Sequence, residues 1–181
     1  FVDVDNDGDM DLVIGRYDGD LKHYYENTDN PTNPSYTRRE GALNPFDGVA
    51  DVGFDSAPAF VDLDNDGDMD CFILNHGAGT SRLLENDGTG QFTDIGDSAG
   101  LGDIDYFGIQ ALFRDFDNDS YIDLLVTATD LGGSAATYRI YRNNGDKTFT
   151  EVPDVLRLSG GAPISHLHSC ALGDLNHDGF V

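Results

Sequence analysis

Four copies of an aspartate-rich segment recur along this chain, and this repetition restricts its possible folds more than any other feature. The copies begin at Phe1, Phe60, Phe113 and Leu172, and they share the pattern Asp-x-Asp-x-Asp-Gly-x-x-Asp or a close variant of it. Their first aspartates are 59, 53 and 59 residues apart. Similarity at a long, nearly fixed period indicates an array of similar structural units, each packed on its neighbours. We name the acidic segments loop 1 (3–11), loop 2 (62–70), loop 3 (115–123) and loop 4 (174–181), and we number the pattern from position 1 to position 9.

A second repeated element follows each of the first three loops. Asn27 and Asn86 come 16 residues after the last aspartate of loops 1 and 2, and Asn143 comes 20 residues after that of loop 3. An aromatic-threonine pair follows each asparagine, as at residues 92–93. The repeating unit is therefore a module of about three to four strands. The predicted repeats lie at about 1–59, 60–112 and 113–171, with a partial repeat at 172–181.

Short apolar runs follow the first three loops, at residues 12–14, 71–74 and 124–126. Runs of this length, bounded by turn residues, predict strands that are buried on both faces. No long helical period interrupts them. Modules of several strands at such a period are typical of propeller blades. The sequence therefore predicts an all-β chain of β-propeller-type blades, forming one propeller segment over residues 1–181.

The spacing of the acidic residues suits Ca²⁺, a hard cation that takes six to eight oxygen ligands. Aspartates at positions 1, 3 and 5 of a tight loop can converge on one point. Glycine at position 6 permits the sharp turn because it tolerates positive φ. The carbonyl of position 7 and the carboxylate of position 9 would complete the cage. We therefore predict Ca²⁺ in three complete sites and a fourth partial one.

The predicted side-chain ligands are those of positions 1, 3, 5 and 9, and the predicted carbonyl ligands are those of position 7. The side-chain set is Asp3, Asp5, Asp7, Asp11, Asp62, Asp64, Asp66, Asp70, Asp115, Asp117, Asp119, Asp123, Asp174, Asn176 and Asp178. The carbonyl set is Asp9, Asp68, Tyr121 and Phe180. Ser120 replaces the glycine of position 6 in loop 3, so we expect a slightly strained or weaker site there. Loop 4 has no position 9 within the sequence, and we expect its site to be empty or poorly formed.

Two other interpretations of the loops are weaker. An EF-hand would need a bidentate glutamate at position 12 and flanking helices, but position 12 is Ile14, Ile73 or Val126 and the flanks are predicted strands. A merely solvated turn would explain one Asp/Asn/Gly cluster. It does not explain three copies in register, each before an apolar strand. Four or five carboxylates within nine residues also repel one another without a cation.

The charge of the chain supports the same assignment. The formal net charge is −24, and 16 of the 34 acidic residues lie in the four loops, where a divalent ion could neutralise them. An acidic surface argues against nucleic acid, which requires Lys and Arg for its phosphates, and against anionic membranes. No apolar run approaches the roughly 18 residues of a membrane span, so we expect no membrane insertion.

The loops, the turns around Asn86 and Asn143, and the aromatic-threonine pairs resemble FG-GAP repeats of the VCBS-type subgroup, which are related to the blades of the integrin α-subunit head. Residues 83–94, followed by 99–101, are especially close to that pattern, and the similarity covers essentially the whole chain. The resemblance implies a β-propeller, usually seven-bladed, with about four antiparallel strands per blade. It also implies a calcium loop between the first two strands of a blade. Because three modules cannot close a ring, we expect a fragment of a larger propeller in preference to an open array completed by neighbouring chains.

Several other residues have simpler interpretations. His166 and His168 would share one face of a strand, but no Cys or carboxylate lies close by in sequence, which argues against a metal role. Cys71 occupies the place of an apolar residue and is predicted to be buried. Cys170 belongs to a different module, so we expect no disulfide between the two. Asn118 begins the single glycosylation sequon, and we expect it to be unmodified because it lies inside loop 3.

No nucleophile-base arrangement or phosphate-binding glycine loop is visible in the sequence, and most clustered aspartates are assigned as ligands, so we expect no enzyme. The sequence predicts an extracellular or cell-surface calcium-binding module for adhesion, surface recognition or structural assembly. Its partner would be an unknown protein or glycan ligand, or copies of itself. One alternative is a structural subunit of an extracellular filament or surface layer, which polymers seen by microscopy would favour. Another is a non-catalytic accessory domain of a secreted enzyme, which a catalytic pocket outside the loops would favour.

Overall fold

The computed structural model describes residues 1–153 apart from 17–22, 51, 53–55, 77–79, 103, 105–106 and 130–135. The described residues form eleven strands and a short 3-10 turn at Gly41–Leu43, with no α-helix among them. The strands are β1 (Leu12–Ile14), β2 (His23–Asn27), β3 (Tyr36–Arg39), β4 (Ala57–Val61), β5 (Asp70–Leu74), β6 (Arg82–Asn86), β7 (Phe92–Asp94), β8 (Phe107–Arg114), β9 (Asp123–Thr129), β10 (Ala136–Asn143) and β11 (Phe149–Val152). The predicted all-β fold is confirmed. Within the same residues, no helix has the length and hydrophobicity of a membrane span.

The strands form three antiparallel sheets. Sheet 1 has the order β1-β2-β3, sheet 2 has the order β4-β5-β6-β7, and sheet 3 has the order β8-β9-β10-β11. Consecutive strands pair with each other, so every sheet is a simple up-and-down meander, as in a propeller blade. The limits predicted for the repeats stay a prediction.

The acidic loops connect the first two strands of a sheet. Loop 2 joins β4 to β5, and loop 3 joins β8 to β9. The last aspartate of each loop pairs with the residue that precedes the loop, and these pairs are Val2–Asp11, Val61–Asp70 and Arg114–Asp123. Loop 1 therefore has the same place in sheet 1, although its first pairing is an isolated bridge. The loop position that the family resemblance implies is confirmed.

Two apolar cores lie between the sheets. The core between sheets 1 and 2 contains Val2, Val4, Tyr24, Phe46, Val52, Cys71, Ile73 and Leu84. The core between sheets 2 and 3 contains Leu63, Phe72, Leu74, Leu83, Ala99, Leu101, Ile104, Leu124, Val126, Ala128, Tyr141 and Phe149. Strand β5 contributes to both, because alternate side chains of a strand point to opposite faces. This position explains why the sequence of β5 is continuously apolar after Asp70.

The predicted burial of the strands after the loops is confirmed for residues 71–74 and 124–126, which are all buried. For residues 12–14 the prediction is wrong. Ile14 is 40% exposed, and the other two residues are only partly buried. Val13 packs against the core between sheets 1 and 2, whereas the described residues provide no core against the opposite face of β1.

Cys71 is fully buried as a free thiol. Burial raises the pKa of this thiol above its ordinary value, with a smaller contribution from the neighbouring Asp70 charge. A buried thiol of raised pKa is unreactive, so the prediction that Cys71 acts as a small apolar residue is confirmed. Cys170, His166 and His168 lie outside the described residues.

Candidate metal centres

Left-handed backbone at two positions gives the three described loops the same shape. The residues at position 4 are Asn6, Asn65 and Asn118, with φ of 58°, 60° and 58°. Those at position 6 are Gly8, Gly67 and Ser120, with φ of 91°, 98° and 76°. Asparagine and glycine adopt this region more readily than other residues. The sequence thus specifies a tight double turn that folds the aspartates inward.

The turn brings the carboxylates of positions 1, 3 and 5 together. In each loop, three carboxylate oxygens, one from each aspartate, lie within 4.8 Å of one another. The groups are Asp3, Asp5 and Asp7; Asp62, Asp64 and Asp66; and Asp115, Asp117 and Asp119. The sequence analysis assigned these nine residues to three sites. The structure brings together the same three residues at each site.

The position-1 aspartate also fixes the loop backbone. The amide of position 6 donates to one of its oxygens in each loop, from Gly8 to Asp3 Oδ2 at 3.0 Å, from Gly67 to Asp62 Oδ2 at 3.2 Å and from Ser120 to Asp115 Oδ2 at 2.9 Å. The other oxygen of Asp3, Oδ1, is buried and has no hydrogen-bond partner among the residues that the structure describes. A buried carboxylate oxygen without a donor is costly. A cation bound among the three carboxylates would give this oxygen a positively charged partner. These residues therefore fit a divalent metal ion.

The position-9 aspartates lie deeper than the three-carboxylate groups and are not members of them. They are Asp11, Asp70 and Asp123, with exposed fractions of 1%, 4% and 2%. In loop 2, Asp70 Oδ1 accepts the amide of Asn86 at 2.9 Å and Oδ2 accepts the amide of Leu63 at 3.1 Å. The position-9 carboxylate therefore ties the loop to the sheet. Its predicted role as a metal ligand stays a prediction.

Burial is the dominant influence on the position-9 carboxyls. It raises the pKa of Asp70 to about 6, and the two backbone hydrogen bonds only partly offset it. Burial also raises the pKa of Asp11 and of Asp123. The charged form of these groups is thus poorly compensated by the protein alone. A cation in the loop would favour that charged form.

The repeated asparagine has a role that its spacing did not reveal. Asn86 is 2% exposed, and its Nδ2 donates to the carbonyls of Val4 at 3.0 Å and Met69 at 3.2 Å. Val4 belongs to loop 1 and Met69 to loop 2, so one side chain joins two neighbouring loops. Asn143 does the same between loops 2 and 3, through the carbonyls of Leu63 at 3.3 Å and Ile122 at 3.2 Å. The fixed distance from the loop was the sequence signal for this function.

Position 7 was predicted to offer a carbonyl, and the side chains there have other contacts. Asp68 Oδ1 accepts a hydrogen bond from the side-chain Nδ2 of Asn6 in loop 1, and the carboxylate lies against Gly88. Tyr121 lies over Gly145, where a Cβ would be 2.5 Å from its ring. The carbonyl role of Asp9, Asp68 and Tyr121 stays a prediction. Loop 4, with Asp174, Asn176, Asp178 and Phe180, lies outside the described residues.

These features define a tandem array of antiparallel β-blades, each with an acidic loop between its first two strands. The chain belongs to the FG-GAP-like repeat family, whose model matches residues 3–73, 62–126 and 115–181. Repeats of this family are propeller blades, so the predicted family and fold class are confirmed. No curated protein matches the chain.

Ser120 is the one non-glycine at position 6, and its φ of 76° is strained for a residue with a Cβ. We expect Ser120→Gly to raise the free energy of unfolding by about 0.5–1 kcal/mol, because relief of strain exceeds the entropy that glycine adds to the unfolded chain. Urea denaturation at saturating calcium would measure this. Ser98→Gly is the matched control, since Ser98 has no positive φ and should gain nothing. A Ser120→Gly protein no more stable than the parent would show that loop 3 is unstrained.

Proposed function

We propose that this chain is a calcium-binding repeat module in which Ca²⁺ stabilises each blade through its acidic loop. The observation that carries the proposal is the convergence of carboxylates at positions 1, 3 and 5 in three loops, with one buried Asp3 oxygen that no described residue supplies with a donor. Bound Ca²⁺ would neutralise these carboxylates and crosslink the loop. Oxygen-only donor sets favour hard cations such as Ca²⁺.

We further propose that the module works outside the cell, in adhesion, surface recognition or structural assembly. FG-GAP repeats are typically extracellular and generally non-catalytic, which supports a binding role over an enzymatic one. The partner would be a protein, a glycan or further copies of this chain. Fold alone does not select among these partners, because recognition depends on the surface grafted onto the fold.

Calorimetric titration of Asp66→Ala with calcium would test the metal sites. Asp66 is the position-5 member of the second three-carboxylate group, and we expect its loss to weaken calcium binding at one site about 10- to 100-fold, since charged ligand count tunes calcium affinity. His166→Ala is the control, because that residue lies outside the acidic loops and should leave the titration unchanged. Equal affinities for Asp66→Ala and the parent, or a larger loss at His166, would contradict the assignment.

A further inference from the structure

Loop 3 differs from loops 1 and 2 in the charge placed beside it. The residue directly before the repeated asparagine is Glu26 in sheet 1, Glu85 in sheet 2 and Arg142 in sheet 3. The guanidinium of Arg142 contacts two carboxylates of its own loop. Its Nε lies 3.0 Å from Asp117 Oδ2, and its Nη2 lies 3.3 Å from Asp119 Oδ2. These are the aspartates of positions 3 and 5.

On Asp119, Arg142 contacts Oδ2, whereas the backbone amide of the loop bonds to Oδ1. The amide of Tyr121 donates to Asp119 Oδ1 at 2.9 Å, so Oδ2 is the oxygen that faces away from the backbone. In loop 1 the equivalent bond runs from Asp9 to Asp7 Oδ1 at 2.9 Å. No hydrogen bond or ion pair reaches Asp7 Oδ2 from any residue that the structure describes. The oxygen held by a cation in loop 3 is thus available in loop 1.

Loop 2 is intermediate between the other two. Lys147, on the turn between β10 and β11, reaches Asp64 Oδ2 at 2.5 Å and also pairs with Glu85. Within the described ranges, no side-chain cation contacts Asp66, the position-5 aspartate. Loop 3 is therefore the loop whose positions 3 and 5 are both held by one side-chain cation of the described chain.

We propose that Arg142 is an internal competitor for calcium at loop 3. It offsets part of the negative charge of the loop in the metal-free protein and makes loop 3 the last of the three described loops to fill. The inference rests on the proposed function and deepens it. The side chain of Arg142 is 53% exposed, so the guanidinium can withdraw into solvent when calcium enters without opening either core. The residue at the same place in sheets 1 and 2 is a glutamate, and Lys147, which reaches loop 2 from a turn, holds position 3 but not position 5.

A positive charge a few ångströms from the site lowers the affinity for a divalent cation about tenfold in a solvated setting. Calcium titration of the labelled chain by two-dimensional NMR would resolve each loop through the position-6 amides of Gly8, Gly67 and Ser120. These amides donate to the position-1 aspartates. We expect the Ser120 amide to respond last in the parent protein. In Arg142→Met its midpoint should fall about tenfold, and in Arg142→Glu, which copies the other two sheets, it should fall further.

A second measurement separates competition from a purely structural role. Arg142→Met should unfold at lower urea without calcium, because the loop loses its counter-charge, while its loop 3 binds calcium more tightly. Arg139→Met is the matched control, since Arg139 lies on the same strand but pairs with Glu151 on β11, and it should leave the Ser120 midpoint unchanged.

The outcomes distinguish the two proposals. If Gly8 and Gly67 respond to calcium and Arg142→Met leaves the Ser120 midpoint unchanged or raises it, the competitor role is wrong and the calcium sites stand. An equal shift in Arg139→Met would also overturn the role, because it would reflect net charge alone. If no position-6 amide responds at millimolar calcium, the proposed function itself fails.

Discussion

Removal of calcium from three filled sites with EDTA should lower the melting temperature of this protein by about 15–30 °C. A ligand present at 100 times its dissociation constant stabilises the native state by about 2.7 kcal/mol per site, and a domain of this size shifts by about 2–4 °C per kcal/mol. Several sites filled together would give a shift of this order. The physical source is the repulsion within each three-carboxylate group, in a chain of net charge −24.

Calorimetric scans in 1–2 mM CaCl₂ and in EDTA would measure the difference. Part of any effect could come from general screening of the acidic surface, so the EDTA sample is repeated with KCl at matched and higher ionic strength. Screening by KCl weakens the repulsion between carboxylates but places no cation among them. KCl should therefore reverse little of the decrease in melting temperature. Identical melting curves with and without calcium would show that the loops are not structural calcium sites.

Replacement of Asn86 by alanine should lower the free energy of unfolding by about 3–4 kcal/mol, a large effect for a polar residue outside the acidic loops. The side chain donates to the carbonyls of Val4 and Met69 and accepts the amides of Gly88 and Gly90, each at 3.2 Å. Alanine would leave buried backbone groups of two loops without partners, which costs more than the net worth of the bonds. Urea denaturation at saturating calcium would measure the loss.

Asn144→Ala provides the comparison. Asn144 is exposed, and its hydrogen bonds to described residues go to threonine side chains of its own hairpin and to the backbone of Thr148, so its replacement should cost less than about 1 kcal/mol. A similar small cost for Asn86→Ala would mean that the amide does not hold the two loops together.

Much of the fold and of the site could be predicted because the determining signals are local. The carboxylates of positions 1, 3 and 5 lie within five residues, and one tight turn is enough to bring them together. The same holds for β5, because its continuous apolar run predicted a strand that is buried on both faces. The position of each loop between the first two strands of a sheet was implied by the resemblance to FG-GAP repeats.

The remaining features depend on contacts between sheets, which one repeat alone does not specify. Asn86 was found as a marker of register, but its bond to Val4 links residues 82 positions apart. The exposure of Ile14 depends on what lies against β1. Arg142 was visible in the sequence as a basic residue, but its contact with loop 3 requires β10 to lie beside β9. Such contacts become apparent only when the sheets are assembled.

In sheets 2 and 3 the asparagine amide reaches back to the loop of the preceding sheet. One side-chain amide thus joins each of these loops to the loop before it in the chain. The conformation of one acidic loop is therefore coupled to that of the next. A pulling force along the chain would load these amides in series. If Ca²⁺ orders each loop as proposed, it would also strengthen the resistance of neighbouring blades to being pulled apart.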